Sequence, residues 1–405
     1  MSTLEKKIAD VVLKRIRTAR SNRDIEIRAP ESEPKIEQPV TLREARFSDL
    51  EQVSALTVRF GLSSHSAENW KRLWVENPAL ADGETPVIGW VLEAPSGIVG
   101  FLGSIRSQYE YERETLRAVA TCAFAVDVAY RAFSHLLLTS FFRQRNVDLF
   151  LNTTATVPAG KMMMAFKAAP LPQKDYGQVL FWVIDPYHFA KSVFTRMRIT
   201  SGLPALSFLA SLGVRADVGL RRRAPRATNK YTIIETGVND IGEEFERFWS
   251  CKSKDSSRLR AKRNLATIRW HFNPPGSRQV ARVLGCYSGN HLLGYAIVRH
   301  YTAAKDGLRR TLIADLMIEG EEYQVVEELL AAIHKSARNA GSHILEVMGF
   351  PKEIRQIVLK SKPYSRNYPA CPFFFKARDR ALHERLTDEN AWYACPFDGD
   401  GTIWP

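Results

Sequence analysis

Apolar and polar positions along this chain keep two periods in alternation. Val40-Thr-Leu-Arg-Glu-Ala has a strand's period of two, and Ser48-Asp-Leu-Glu-Gln-Val-Ser-Ala-Leu then changes to helical spacing. Ser48 and Glu51 are placed to form a capping box. Strands are predicted at 87–93 and 98–107, divided by the turn residues Pro95-Ser-Gly97. A long strand follows at 116–128, an amphipathic helix at 133–145, the strand Asp148-Leu-Phe-Leu-Asn-Thr-Thr154 and a helix at 158–168. Val179-Leu-Phe-Trp-Val-Ile-Asp reads as the closing strand of this set. The order restarts at Lys230-Tyr-Thr-Ile-Ile-Glu and ends in the apolar strand Pro372-Phe-Phe-Phe-Lys and a tail from Trp392.

The restart is a repeat. Trp74-Val-Glu-Asn77-Pro78 and Trp270-His-Phe-Asn273-Pro274 both precede a strand, a turn and a second strand opening with glycine. In the same register Leu116 to Val126 matches Leu308 to Ile318. This predicts an α+β protein of two tandem units, each a mixed, mostly antiparallel sheet flanked by helices. The expected division is an N-terminal arm and linker at 1–39, domains at 40–186 and 230–405, and a helical and basic bridge at 187–229. Residues 3–20 have the spacing of a basic amphipathic helix, which could lie on an acidic membrane surface but is more often a frayed arm or packs on its own protein, and proline keeps 29–39 extended.

Charge narrows the partners. The formal charge of +13 favours anions, among them nucleic acid, acidic lipid and phosphorylated cofactors. Much of the excess lies in the first thirty residues, in Arg221-Arg-Arg-Ala-Pro-Arg226 and between Lys252 and Arg269. Cys122, Cys251, Cys286, Cys371 and Cys395 are dispersed without metal-ligand spacing, which implies reduced thiols, no metal site and a cytoplasmic location. The N-terminus lacks a signal-peptide core, and the longest apolar stretch, 203–214, falls short of the roughly 18 residues that span a bilayer.

The candidate chemistry sits at Phe124-Ala-Val126-Asp127-Val-Ala-Tyr-Arg131-Ala132-Phe133-Ser134-His135-Leu136, where a strand gives way to a helix. Unpaired N–H groups at a helix N-terminus suit a phosphate or pyrophosphate, and Arg131 would supply a cation; an ordinary capped helix has the same local pattern. Asp398-Gly-Asp400-Gly reads as a turn, since the ligand series of a calcium loop is missing. Trp270-His271-Phe272 is read as part of the repeat rather than a base-stacking patch.

This order of elements resembles the GCN5-related N-acetyltransferase superfamily over 40–186 and, more faintly, over 230–377. The resemblance implies direct acyl transfer from acetyl-CoA or another acyl-CoA to an amine on a small molecule or sugar. It implies that the turn binds the pyrophosphate, with Arg131 in the family's first basic position and Ser134 and Leu136 where the family has small residues. Backbone groups of Val126 and Asp127 would meet the pantetheine arm, and Asn152 would lie near the acyl end. Glu110, Glu112 and Asp315 are the candidate bases, and Phe166 stands where a Tyr acid is common. Phe133 and Met162-Met-Met164 could line a tunnel for longer chains, which brings in acyl carrier protein as an alternative donor. The acidic Ile318-Glu-Gly-Glu-Glu322 leaves the second unit without a pyrophosphate loop, so it would complete the acceptor cleft or support the first. Two other readings stay open, an inactive scaffold of this fold and a basic nucleic-acid-associated protein.

Overall fold

The computed structural model describes residues 39–404 except 63–65, 82–83, 255–256, 277–279, 304–305 and 368–371. The basic helix expected at 3–20 lies outside the described residues.

The first half contains β1 (Thr41–Glu44), α1 (Leu50–Arg59), α2 (Ala67–Trp74), β2 (Gly89–Ala94), β3 (Gly97–Tyr111), β4 (Glu114–Val126), α3 (Ser134–Phe142), β5 (Leu149–Asn152), α4 (Val157–Ala165), β6 (Ala169–Pro170) and β7 (Gln178–Val183). Two helices, α5 (Pro186–Arg196) and α6 (Leu203–Leu220), occupy the stretch read as a bridge, but they join β7 to the strand Thr232–Gly237 of the same sheet and so do not connect one half to the other. The second half contains β8 (Thr232–Gly237), α7 (Glu243–Lys252), β9 (Arg260–Ala261), α8 (Leu265–Phe272), β10 (Val280–Ser288), β11 (His291–Thr302) and β12 (Arg309–Ile318). It continues with α9 (Gln324–Asn339), β13 (Ile344–Val347), α10 (Lys352–Lys360), β14 (Tyr364–Asn367), β15 (Phe374–Ala377) and α11 (Arg380–Arg385). Helix α1 starts later than the Ser48 capping box predicts. A 3-10 turn at Phe47–Asp49 precedes it, and Asp49 takes the Arg46 N–H at 2.8 Å and the Arg43 guanidinium at 2.7 Å.

The strands form two sheets, ordered β1-β2-β3-β4-β5-β15-β6 and β8-β10-β11-β12-β13-β7-β14. Position by position the orders match, so the repeat is a repeat of topology. Among the strand pairs of the described residues, β4–β5 and β12–β13 run parallel and the rest antiparallel. The closing strands are exchanged. β7, read as the end of the first set, pairs with β13 from Ile344↔Val183 to Val347↔Leu180, while β15 pairs with β5 from Phe374↔Asn152 to Ala377↔Leu149. Neither half completes its own sheet, so the two are interlocked through main-chain hydrogen bonds.

The duplicated Trp motifs also meet. The Trp270 indole N–H donates to the Arg72 carbonyl at 2.8 Å, and Arg72 donates to the Trp270 carbonyl at 2.6 Å. The tail threads this junction. Arg72 donates to the Ile403 carbonyl at 2.6 Å, and Arg299 to the carbonyls of Thr402 and Trp404. Helix α6 is longer than the apolar stretch read at 203–214, reaching eighteen residues, and is the one helix among the described residues long and apolar enough to cross a membrane. One side of it, with Ser207, Ala210, Ser211 and Val214, is buried against the protein.

Two of the histidines contribute to an acid limit. Burial, helped by Arg338 for His334 and by Arg309 for His343, pushes each down to about 4. The unfolded chain then binds more protons than the folded one between 6.5 and 4, so stability is lost as pH falls through that window. After discounting for solvent screening, each should contribute on the order of 1 kcal/mol. Chemical denaturation at pH 7 and pH 5 checks this, with His334→Gln expected to lose less stability than wild type on acidification.

Candidate functional site

β4 and β5 separate partway along their length. They pair only from Ala118↔Leu149 to Ala120↔Leu151, so the edge of β4 that faces β5 has no strand partner from Thr121 onward. On its other side β4 loses register with β3 between Phe101 and Gly103, and Ala123 adopts a φ of 50°. A non-glycine residue there marks a bulge that bends the strand outward. β12 separates from β13 after Ile313 and slips against β11 near Asp315, so the deformation is itself repeated.

The free edge of β4 leads into the predicted turn. Val126 ends the strand, Asp127 accepts from Arg59 at 3.0 Å, and a 3-10 turn over Val128–Phe133 delivers the chain to α3. Arg131 and Ala132 are exposed, Phe133 is partly buried and Ser134 is buried. Ser134 is the first helical residue and makes no side-chain cap; Phe133 holds the cap position, and His135 Nδ1 folds back to the Ala132 carbonyl at 2.8 Å. Thus Val126, Asp127, Arg131, Ala132, Phe133, Ser134 and His135 come together in one turn. Asn152 ends the diverging β5, buried, with its side-chain oxygen accepting from the Thr154 N–H at 3.3 Å.

The two faces of this sheet differ. α3 and α4 cover one with Leu137, Leu138, Phe141 and Met163. α1 and α2 cover the other with Val53, Leu56, Trp70 and Leu73, together with Ile403 from the tail. Within the Met162 to Met164 run, Met163 packs in the core while Met164 is exposed. Phe166 stacks on Phe142 at 5.4 Å.

Beside the separation of β4 and β5 the tail places two carboxyl groups that sequence reasoning took for a turn. Asp400 accepts from the hydroxyls of Thr153 at 3.0 Å and Thr154 at 2.9 Å, immediately after Asn152. Asp398 accepts from the Tyr109 hydroxyl at 2.9 Å and the Cys395 N–H at 2.8 Å. Both are buried, and burial pushes both carboxyls above the usual carboxylate range; for Asp400 the donated hydrogen bonds oppose it, for Asp398 the Arg263 charge does. The turn does exist. Gly399 has a φ of 67°, and a Cβ there would lie 2.2 Å from Thr153 Oγ1, so glycine permits the approach. A narrow cavity bounded by Ile105, Ala120, Lys262, His271 and Gly399 adjoins the tail. His271 is kept well below its ordinary value by burial and by Arg299, Arg72 and Arg263. Since Thr402 Oγ1 donates to the Pro396 carbonyl, His271 Nε2, 2.8 Å away, carries the proton that bonds Thr402.

The proposed bases lie elsewhere. Glu110 accepts from the Thr115 hydroxyl at 3.1 Å, and Glu112 occupies the β3–β4 hairpin turn, 3.7 Å from Arg385. The length of β4 separates that hairpin from the turn after Val126, about 40 Å at strand spacing. Asp315 belongs to the second sheet, wholly buried against Arg263 at 3.0 Å, with the Tyr295 hydroxyl also at 3.0 Å. Its partners make it a paired structural carboxylate. In the corresponding turn of the second half, Glu319 meets His291 at 2.5 Å and Glu322 meets Lys230 at 3.2 Å.

No family model and no curated protein matches the sequence. Solved structures do match its shape. A GCN5-related N-acetyltransferase from Anabaena variabilis superposes with TM-score 0.52 at 8% identity, over 84% of this chain and 73% of that one. A conserved protein of unknown function from Enterococcus faecalis V583 gives 0.54 at 9%, over 84% and 73%. Saccharomyces cerevisiae N-myristoyltransferase with bound myristoyl-CoA gives 0.51 at 11%, over 86% and 81%. The likeness is one of fold. The chain has the fold of the GCN5-related N-acetyltransferases, carried on two sheets.

Proposed function

We propose that this protein, with its N-acetyltransferase fold, is an N-acyltransferase that takes its acyl group from acyl coenzyme A in the first half. The observation that carries the reading is the separation of β4 from β5 after Ala120, which leads into the turn before α3. Unpaired backbone groups of β4 through Val126 would receive the amides of a pantetheine arm, and the turn with Arg131 would receive phosphate. Coenzyme A, when bound, supplies the activated thioester. The neighbourhood of Asn152 would then hold the acyl end.

Asp400 is the base that fits this site, in place of Glu110, Glu112 and Asp315. It stands behind Thr153 and Thr154 with its carboxyl raised by burial, and it is oriented by two hydroxyl donors. A carboxylate tuned upward is suited to take a proton from an amine near neutral pH. The acceptor we propose is a small molecule or sugar bearing that amine, reaching the site through the cavity beside Gly399. Acetyl is the expected group, with a longer acyl group or a carrier-protein donor as variants, and the cytoplasm is the proposed location. Ser134 and Leu136 crowd the phosphate turn, and this favours the second reading, an inactive scaffold of the same fold.

Calorimetric titration of acetyl-CoA and of longer acyl-CoA separates these readings. Saturable binding is expected, weakened about 10- to 100-fold by Arg131→Glu, the effect of losing a charge-assisted contact. Folded wild-type protein that binds no thioester would sink the acyl-CoA reading.

A further inference from the structure

The α5–α6 hairpin exposes apolar side chains in a way the fold does not require. Of the sixteen large hydrophobic residues exposed among the described residues, six fall between Met197 and Leu220. On α6 these are Leu206, Phe208, Leu209, Leu212 and Leu220, with Phe208 56% and Leu220 80% exposed. At 100° per residue they lie on one side of the helix, away from the buried Ser207, Ala210, Ser211 and Val214. A surface helix of a soluble protein turns charged residues outward. Here Arg215 is the one charged residue on the outward side, and Asp217 turns inward to Arg223 at 2.7 Å and the Tyr364 hydroxyl at 2.6 Å.

The apolar face is set among cations. Residues 186–226 carry eight Lys and Arg side chains against the single carboxylate of Asp217. Lys191, Arg198, Arg215, Arg222 and Arg226 are exposed. Near the end of α6, Arg222 and Arg226 line a pocket with Lys360 and Lys362; Lys360 also pairs with Glu327 at 2.7 Å.

We infer that the outward side of α6 docks on an anionic phospholipid membrane, with the helix lying in the plane of the interface. The apolar residues would enter the acyl boundary while the surrounding arginines meet lipid phosphates. Although α6 is long enough to span a bilayer, its inner side is joined to α5 through a core of Ala190, Phe194 and Ala210. A spanning helix would have to abandon that packing. A second copy of the chain is the weaker occupant, because it would bring a second cationic rim against the first. The inference is independent of whether the protein binds acyl-CoA.

Co-sedimentation of the full chain with phosphatidylglycerol vesicles and with neutral phosphatidylcholine vesicles tests it. Binding is expected to the anionic vesicles and to fall with added salt. Phe208→Ser/Leu209→Ser/Leu212→Ser should lower the partition coefficient about ten-fold or more from lost apolar burial. Arg215→Glu/Arg222→Glu should lower it by a similar factor. Both variants keep the N-terminal basic arm and alter exposed side chains, so their loss assigns binding to α6. Vesicle binding by both variants equal to wild type would overturn the proposal, as would no wild-type binding or equal binding to neutral lipid. A wild-type dimer that ignores vesicles and dissociates in the apolar variant would assign the face to a second copy instead.

Discussion

Replacement of Arg263 by methionine is expected to destabilise the protein by about 3–5 kcal/mol, because it strands a buried charge. Arg263 and Asp315 have no side-chain exposure and meet at 3.0 Å. Arg263 also donates to the Ala261 carbonyl at 2.6 Å and contacts Cys395 Sγ at 3.4 Å, and its guanidinium lies 4.7 Å from the Phe397 ring. Truncation leaves Asp315 with the Tyr295 hydroxyl and the Cys395 thiol and without a cation. Arg263→Met/Asp315→Leu should recover most of the loss, since a buried ion pair replaced by apolar groups of similar volume is often close to neutral. Urea unfolding of wild type, single and double variants measures both quantities. A single-variant loss below about 1 kcal/mol would show that water reaches the pair.

Asp400→Asn is expected to lower kcat by about 10²- to 10⁴-fold while leaving acyl-CoA affinity unchanged, as loss of a general base would. The substitution is nearly isosteric, and the hydroxyls of Thr153 and Thr154 can still donate to the remaining side-chain oxygen. Activity of the wild type should rise with pH through the Asp400 carboxyl, whose value burial lifts above 3.8. The variant should lose that acidic limb. Glu110→Gln and Glu112→Gln, at the distant hairpin, should keep full activity. A fully active Asp400→Asn would remove the tail from the chemistry and return it to a structural role.

What local periodicity encodes was legible in the chain: the duplicated order of elements, the mixed sheets flanked by helices, and the turn from Val126 to His135. Apolar alternation and turn residues report whether a segment is extended or helical and which sides are buried, and those are properties of a few successive residues. They do not report the partner. β7 and β15 are short apolar strands that would satisfy either sheet, and their exchange was decided by which edges the folded halves bring together. The same holds for the carboxyl groups. Asp398 and Asp400 look like a turn in the sequence, and they are buried because the tail is drawn into the junction, where Phe397 and Ile403 pack in the cores and Arg72 and Arg299 hold the carbonyls of Ile403 and Thr402. Glu110 and Glu112 look close to the site along the chain, yet an extended strand carries them away from it. Helix α6 shows the converse, since its sequence shows an apolar stretch at 203–214, and packing against α5 decides which side of it faces outward.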